Sequence, residues 1–290
     1  MSWRTVVISH SAKLDYQLGY MVVRQQETVK LSIDEIETLI IESTAVSLTV
    51  ALLSELTKKK VKVIFCDEKH NPLSELIPYY GAFDNSAKIK KQIDWDSDIK
   101  NAVWTEIVSD KIRKQALFLY ENNHAEGDKL LGYISEMEFG DITNREGHAA
   151  KVYFNALFGK EFTRSSEVSV NAALNYGYSL LLSAFNREIV SKGYLTQLGI
   201  FHDNMFNQFN LSCDLMEPFR VIVDRVVYRL KPEKFEHEEK VKLYYVMSES
   251  VKIAGRTEVL SNAIKIYTNS VFDALNDRDV SLIKFYEYEL

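Results

Sequence analysis

The sequence predicts an α+β protein: a small N-terminal β-rich domain followed by a larger, mainly α-helical domain. Three observations carry this prediction. Residues 1–80 hold short runs rich in Val, Ile and Thr, separated by turn-forming or polar residues. Residues 81–93 lose that apolar periodicity and read as a linker. From residue 94 to residue 290, apolar positions recur at the helical spacing of three and four.

In the first domain, Arg4–Ser9, Tyr20–Arg24, Thr38–Glu42 and Lys62–Cys66 are the predicted strands. One helix interrupts them. Its Leu48, Leu52 and Leu56 stand four apart, and Lys58, Lys59 and Lys60 suit the negative end of its dipole. Pro72 and Pro78 close the region. In the second domain, Ile99, Val103, Ile107, Val108 and Ile112 form one stripe that runs on towards Tyr120. Gly147 to Phe158 is compact and apolar, and a long helix follows over Val170 to Lys192 with Gly193 as its stop. Asp214 to Leu230 is amphipathic, with Pro232 just past its end. Glu238–Ser250 and Thr257–Asn276 are the last predicted helices.

Composition narrows the function classes. At 46% hydrophobic, the 290 residues can bury a sizeable core, which excludes wholesale disorder. The most apolar stretch, Leu39 to Leu56, is interrupted by Glu42 and Glu55, so no membrane span is expected. The N-terminus enters a strand without a basic-then-apolar leader, and the expected location is cytoplasmic. Two cysteines, Cys66 and Cys213, are too few for a disulfide framework or a zinc cluster and read as small buried residues. The net charge of −6 counts against nucleic-acid binding, yet phosphate binding needs local positive potential and not a basic total.

The sharpest chemical cluster is Leu211 to Arg220. Asp214 and Glu217 are three apart, so on a helix both carboxylates project from one face, an arrangement suited to a hard divalent ion. Taken alone the pair reads more readily as a solvated helix face. Pro218 either kinks that helix or starts a new one. His202, in Gly199–Asp203, reads by itself as a packed histidine. Thr143 and Glu146 match a capping box, in which the glutamate serves a backbone N–H at a helix start. His148 reads as a surface residue. There is no nucleophile elbow, P-loop or glycine-rich dinucleotide fingerprint. Nothing in the spacing brings these distant residues together.

The residues do resemble a known family. Asn171–Tyr178, Gly199–His202 and Asp214–Arg220 are similar to three ordered blocks of the CRISPR spacer-acquisition integrase, and Arg145–Phe154 resembles its first catalytic block. Ile36–Ser43, Val46–Leu56 and Val61–Asp67 resemble its strand–helix–strand run, and Ile107–Ala116 one of its helices. The match spans about nine-tenths of the chain, and the compact length resembles the version from type II systems. The resemblance implies a metal-dependent DNA transesterification that inserts captured DNA into a CRISPR array, with endonuclease activity besides. It implies Glu146, His202 and Glu217 as ligands of Mg2+ or Mn2+. Asp214, Asn171, Asn175 and Tyr176 would be supporting residues. Candidate DNA contacts are Arg145, Lys151, Arg220, Arg225 and Arg229. Thr196 stands where many members have proline, which should alter loop stiffness. The implied partners are double-stranded DNA, a second copy through the β domain, and a small ferredoxin-like adaptation protein completing a heterohexamer, alongside other adaptation proteins.

Overall fold

The computed structural model describes residues 4–79 and 82–288. The chain divides into two compact units, residues 1–81 and 82–290.

The first unit contains β1 (Arg4–Ile8), β2 (Ala12–Gln17), β3 (Tyr20–Arg24), β4 (Thr28–Ser32), β5 (Ile36–Ile41), β6 (Val46–Leu48), α1 (Val50–Lys58), β7 (Lys62–Cys66) and β8 (Pro72–Glu75). They form two four-stranded sheets. One has the order β4-β3-β2-β6, the other β1-β5-β7-β8. Strands β1, β5 and β7 run parallel, and α1 provides the crossover from β5 to β7. Leu18 and Gly19, both at positive φ, make the two-residue turn of the β2–β3 hairpin. Thr49 caps α1 by accepting from the Leu52 N–H at 3.3 Å. Leu14, Met21, Ile36, Leu39, Leu52, Leu56 and Val63 make the core. Strands β2, β4, β6 and β8 were not predicted from the sequence. Their sequences, AKLDYQ, TVKLS, VSL and PLSE, intersperse polar and charged residues among the apolar ones, so no sustained apolar run marks them.

The second unit corrects the expected linker at 81–93. Residues Asn85–Ile93 form a helix, α2, whose lysine-rich surface hides its periodicity. Its one buried side chain, Gln92, donates to the carbonyls of Leu195 and Leu198 and accepts from the Leu195 N–H. The central element is α3 (Ser97–Glu121), begun by Asp96, whose carboxylate accepts from the N–H groups of Asp98 and Ile99. Trp104, Ile107, Val108, Ile112 and Ala116 on α3 are fully enclosed. Against it pack α4 (Gly127–Ser135), α5 (Arg145–Phe158), α7 (Asn210–Met216), α8 (Arg220–Leu230) and α10 (Leu260–Asp277), while α6 (Ser169–Ser191) packs on α7, α8, α10 and α9 (His237–Tyr244). Gly177 allows α6 and α8 to approach, since a Cβ there would fall 2.4 Å from Val223.

The expected helices at 238–250 and 257–276 are both trimmed. Residues Ser250–Ile253 (β9), Arg256–Val259 (β10) and Tyr286–Glu287 (β11) form a small antiparallel sheet in the order β10-β9-β11. Thr257 therefore belongs to a strand. Among the described residues, no helix is long and apolar enough to cross a membrane.

Candidate active site

Glu146 stands in the first turn of α5, and its expected capping role is taken by other residues. Asn144, in the left-handed conformation at φ 54°, accepts from the Gly147 N–H at 3.1 Å. The Asp141 carboxylate accepts from the N–H groups of Arg145 and Glu146 at 2.7 and 3.0 Å. The helix start is thus satisfied without Thr143 or Glu146. The glutamate is left free to face the interior.

Glu217 is placed by a break in the chain. After α7 a three-residue 3-10 turn, Glu217–Phe219, contains Pro218, and α8 starts at Arg220. Proline has no N–H to continue the α-helical ladder, so the helix yields there. The shared face expected of Asp214 and Glu217 does not result in shared partners. Glu217 turns towards α3, whereas Asp214 turns towards the loop that carries His202.

Asp214 organises that loop. Its Oδ2 accepts from the N–H groups of Ile200 (2.6 Å) and Phe201 (3.1 Å), and its Oδ1 from the N–H (3.1 Å) and Nδ1 (2.5 Å) of His202. Gly199 makes this close approach possible, because a Cβ there would fall 2.2 Å from the His202 carbonyl oxygen and 2.8 Å from Asp214 Oδ2. Burial pushes the Asp214 carboxyl upward, against the hydrogen bonds that favour its charged form. The hydrogen bond to Asp214 raises the His202 imidazole above its ordinary value. With three N–H donors already aimed at the carboxylate, the Nδ1 of His202 carries a proton and Nε2 is left as the available ring nitrogen. Phe201 stacks on Trp104 at 4.4 Å between centroids, and His202 meets the same indole edge-on at 5.8 Å. Gln92 holds the start of this loop. The Thr196 hydroxyl donates to the Gln208 carbonyl at 2.8 Å, fastening the loop by a hydrogen bond.

Glu146, His202 and Glu217 line one cavity of about 270 Å³. Lys111 of α3, absent from the sequence-based candidates, stands between the carboxylates. Its Nζ donates to Glu146 Oε1 and, at 2.5 Å, to Glu217 Oε2. Arg220 Nε donates to the other Glu217 oxygen at 2.8 Å. Burial opposes charge on both Lys111 and Glu217, but their mutual attraction, with Glu146 and Arg220, outweighs it. The ammonium is held above its ordinary value and the Glu217 carboxyl well below the usual carboxylate range. Among the described residues, no three His, Cys, Asp or Glu side chains stand close enough to hold a metal ion as they are. The donor set nevertheless fits one. Two carboxylate oxygens already converge on a single cationic atom, and an imidazole lines the same cavity.

The far wall is cationic and aromatic. Arg220 lies over the Tyr178 ring at 4.5 Å, and Arg164 over the same ring at 5.4 Å and Phe154 at 5.5 Å. Arg164 donates to Asn171 Oδ1 and to Asn175 Oδ1, the latter at 2.7 Å. The two asparagines therefore act at one remove, by holding an arginine that the sequence reading passed over. Beneath them Asp224 accepts from Tyr178 (2.5 Å) and Tyr153 (3.0 Å), and burial pushes its carboxyl up to about 6. Tyr176 is a correction. It packs away from the cavity against Phe235 and Tyr244, because residues two apart on α6 face opposite sides. Tyr178 is the tyrosine at the site.

The remaining basic candidates separate. Arg145 pairs with Glu136 at 3.1 Å, and Lys151 is exposed on α5. Arg225 and Arg229 pair with Glu121 at 3.6 and 3.0 Å, outside the cavity lining. Of the two cysteines, Cys66 is buried as expected and Cys213 is half-buried against Asn207.

The family described as CRISPR associated protein Cas1 matches residues 5–254 of this sequence. The chain belongs to the Cas1 family. It is 36% identical over 232 residues to a CRISPR-associated endonuclease Cas1 from Neisseria meningitidis serogroup C (strain 8013), covering 79% of this chain and 76% of that relative. Its fold is similar to a casposase bound to an integration product, with a TM-score of 0.78 at 19% identity, covering 97% of this chain and 93% of the other. It is also similar to a chain of a Cas6-RT-Cas1–Cas2 complex, with a TM-score of 0.75 at 17% identity. That alignment covers 99% of this chain but only 36% of the larger polypeptide. The Cas1 blocks read from the sequence, 145–154, 171–178, 199–202 and 214–220, supply most of the cavity lining.

Proposed function

We propose that the chain is a CRISPR adaptation integrase, joining captured double-stranded DNA to the leader-repeat end of an array by metal-dependent transesterification. The observation that carries this reading is the convergence of Glu146 and Glu217 on one cationic position, in a cavity shared with His202 and walled by Arg164 and Arg220. Membership of the Cas1 family and the casposase-like fold support it.

Glu146, Glu217 and His202 would hold Mg2+ or Mn2+. A divalent ion there supplies electrostatic stabilisation of a phosphoryl oxygen and favours the deprotonated form of an attacking hydroxyl. The protein's own residues do the rest. Asp214 fixes the His202 tautomer and holds its loop. Arg164 and Arg220 present positive charge to the scissile phosphodiester, where it neutralises charge spread over the phosphoryl oxygens. The stack of Phe201 on Trp104 steadies the loop beside them. In the reaction a 3′-hydroxyl oxygen forms a new bond to phosphorus while the old ester bond breaks, and the departing 3′-oxygen takes a proton. Water in place of the hydroxyl gives hydrolysis, the endonuclease activity.

The proposed assembly is a homodimer through the first unit, joined by a small ferredoxin-like adaptation protein in the cytoplasm. An edge strand, β4, with Thr28, Val29 and Lys30 exposed, supports pairing with a second copy.

The test is strand transfer with a duplex bearing free 3′-hydroxyls, a leader–repeat plasmid, the small partner and Mn2+. Joined product from wild type and none from Glu217→Ala is the expected result. Cleavage without joining would instead favour a stand-alone metal-dependent phosphodiesterase. Binding to DNA without either product would favour a catalytically silent adaptor.

A further inference from the structure

We infer that Lys111 is a resident counter-ion that occupies the divalent-cation position between Glu146 and Glu217, and that the ion must displace its ammonium to bind. The inference rests on the reading of these glutamates as cation ligands. It goes beyond that reading to what keeps the metal-free site folded and what sets its affinity.

The side chains of Lys111 and Glu217 are 6% and 4% exposed, and the lysine reaches Glu146 and Glu217 together. One Glu217 oxygen is committed to Arg220, which leaves Oε2 as the oxygen turned to the lysine. Remove the ammonium and two carboxylates face one another in a largely buried space with one guanidinium to balance them. That arrangement is costly, because like charges in a poorly hydrated site repel strongly. The lysine therefore substitutes for an ion when none is bound.

It also competes with one. A divalent ion ligated by Glu146 Oε1 and Glu217 Oε2 needs the two oxygens that Lys111 engages. Ligand oxygens sit about 2.1 Å from Mg2+, so an ammonium left in hydrogen-bond contact with both would lie against the ion. Two cations cannot share that point. The lysine stem is flexible, and the cavity beside it gives the ammonium somewhere to go. Divalent binding thus includes the work of moving a buried cation, and affinity is lower than the same carboxylates would give without it.

The experiment is a Mn2+ titration of the full chain, read by the loss of the free-ion electron paramagnetic resonance signal. It compares wild type, Lys111→Met, Lys111→Gln and Glu217→Ala, and melts each in EDTA and in Mn2+. Lys111→Met is expected to bind Mn2+ about ten-fold more tightly or better, since a like charge is gone from the site. In EDTA it should melt lower by about 5 °C, and Mn2+ should close that gap. Lys111→Gln, which keeps most of the volume without the charge, carries the same expectation. A merely structural lysine would give weaker Mn2+ binding on removal, so equal or weaker binding by the folded variants overturns the inference. If both variants stay unfolded even in Mn2+, the ion cannot replace the ammonium and the inference likewise fails. Wild-type Mn2+ binding by Glu217→Ala overturns the reading of the site beneath it.

Discussion

Asp214→Asn is the substitution that most directly tests how the site is built. The wild-type carboxylate accepts two hydrogen bonds on each oxygen, three from backbone N–H groups and one from His202 Nδ1. An amide has one oxygen, so two of those four donors would face an NH2 group. A hydrogen bond to a charged group contributes about 1.5–3 kcal/mol, and losing two gives an upper bound of about 3–6 kcal/mol. Relief from burying a charge offsets part of this, leaving a net loss of roughly 2–4 kcal/mol. For a unit of this size that lowers the melting temperature by about 5–15 °C. A second consequence is chemical. If the amide keeps its oxygen on Ile200 and Phe201, its NH2 faces Nδ1. The ring proton then moves to Nε2, which removes the lone pair turned to the cavity. Losing the carboxylate that orients a ligating histidine through its other ring nitrogen typically costs about 10–100-fold in metal affinity. The assay is thermal melting in EDTA together with Mn2+ titration at neutral pH. A variant that melts with wild type and binds Mn2+ equally would refute both the loop-holding and the tautomer arguments.

Two further predictions follow from the cavity wall. Burial raises Asp224 to about 6, so the folded state binds more protons than the unfolded chain between about pH 4 and 6; its contribution to stability is full below that window and lost as pH rises through it. Asp224→Asn should therefore gain on wild type by up to about 3 kcal/mol between pH 4 and 7 in urea melts, and a constant difference would refute this. Arg164→Ala should weaken duplex binding and reduce its salt slope by about one. Arg164→Lys should keep the slope yet lose strand-transfer rate by about ten-fold, because an ammonium cannot bridge Asn171 and Asn175 while stacking on Tyr178; an unchanged slope in the alanine variant would remove Arg164 from the DNA-binding set.

Elements whose apolar residues repeat at a fixed period were legible in the sequence. The stripe from Ile99 to Ile112 became α3, Val170 to Lys192 became α6, and Gly193 stopped it at φ 86°. These are local signals, set by propensity and by the need of one helix face to be buried. Helix α2 lacked such a stripe because it buries a glutamine, and the C-terminal strands were too short to alternate visibly. The ordered blocks around residues 146, 202 and 217 also marked the candidate chemistry, since side-chain type is written in the sequence.

What only the tertiary structure decided is which of those side chains meet. Asp214 and Glu217 are three apart, yet the 3-10 turn at Pro218 gives one to His202 and the other to Lys111. Tyr176 and Tyr178 stand in the same block, but the turn of α6 points only the second at the cavity. Lys111 lies inside the block Ile107–Ala116 with no motif or spacing that singles it out, and Arg164 lies outside every block. Lys111 becomes part of the site when residues 35 and 106 positions away fold onto it and it is buried between them. That proximity is a property of packing, because interactions between charges depend on separation and burial in space and not on spacing along the chain.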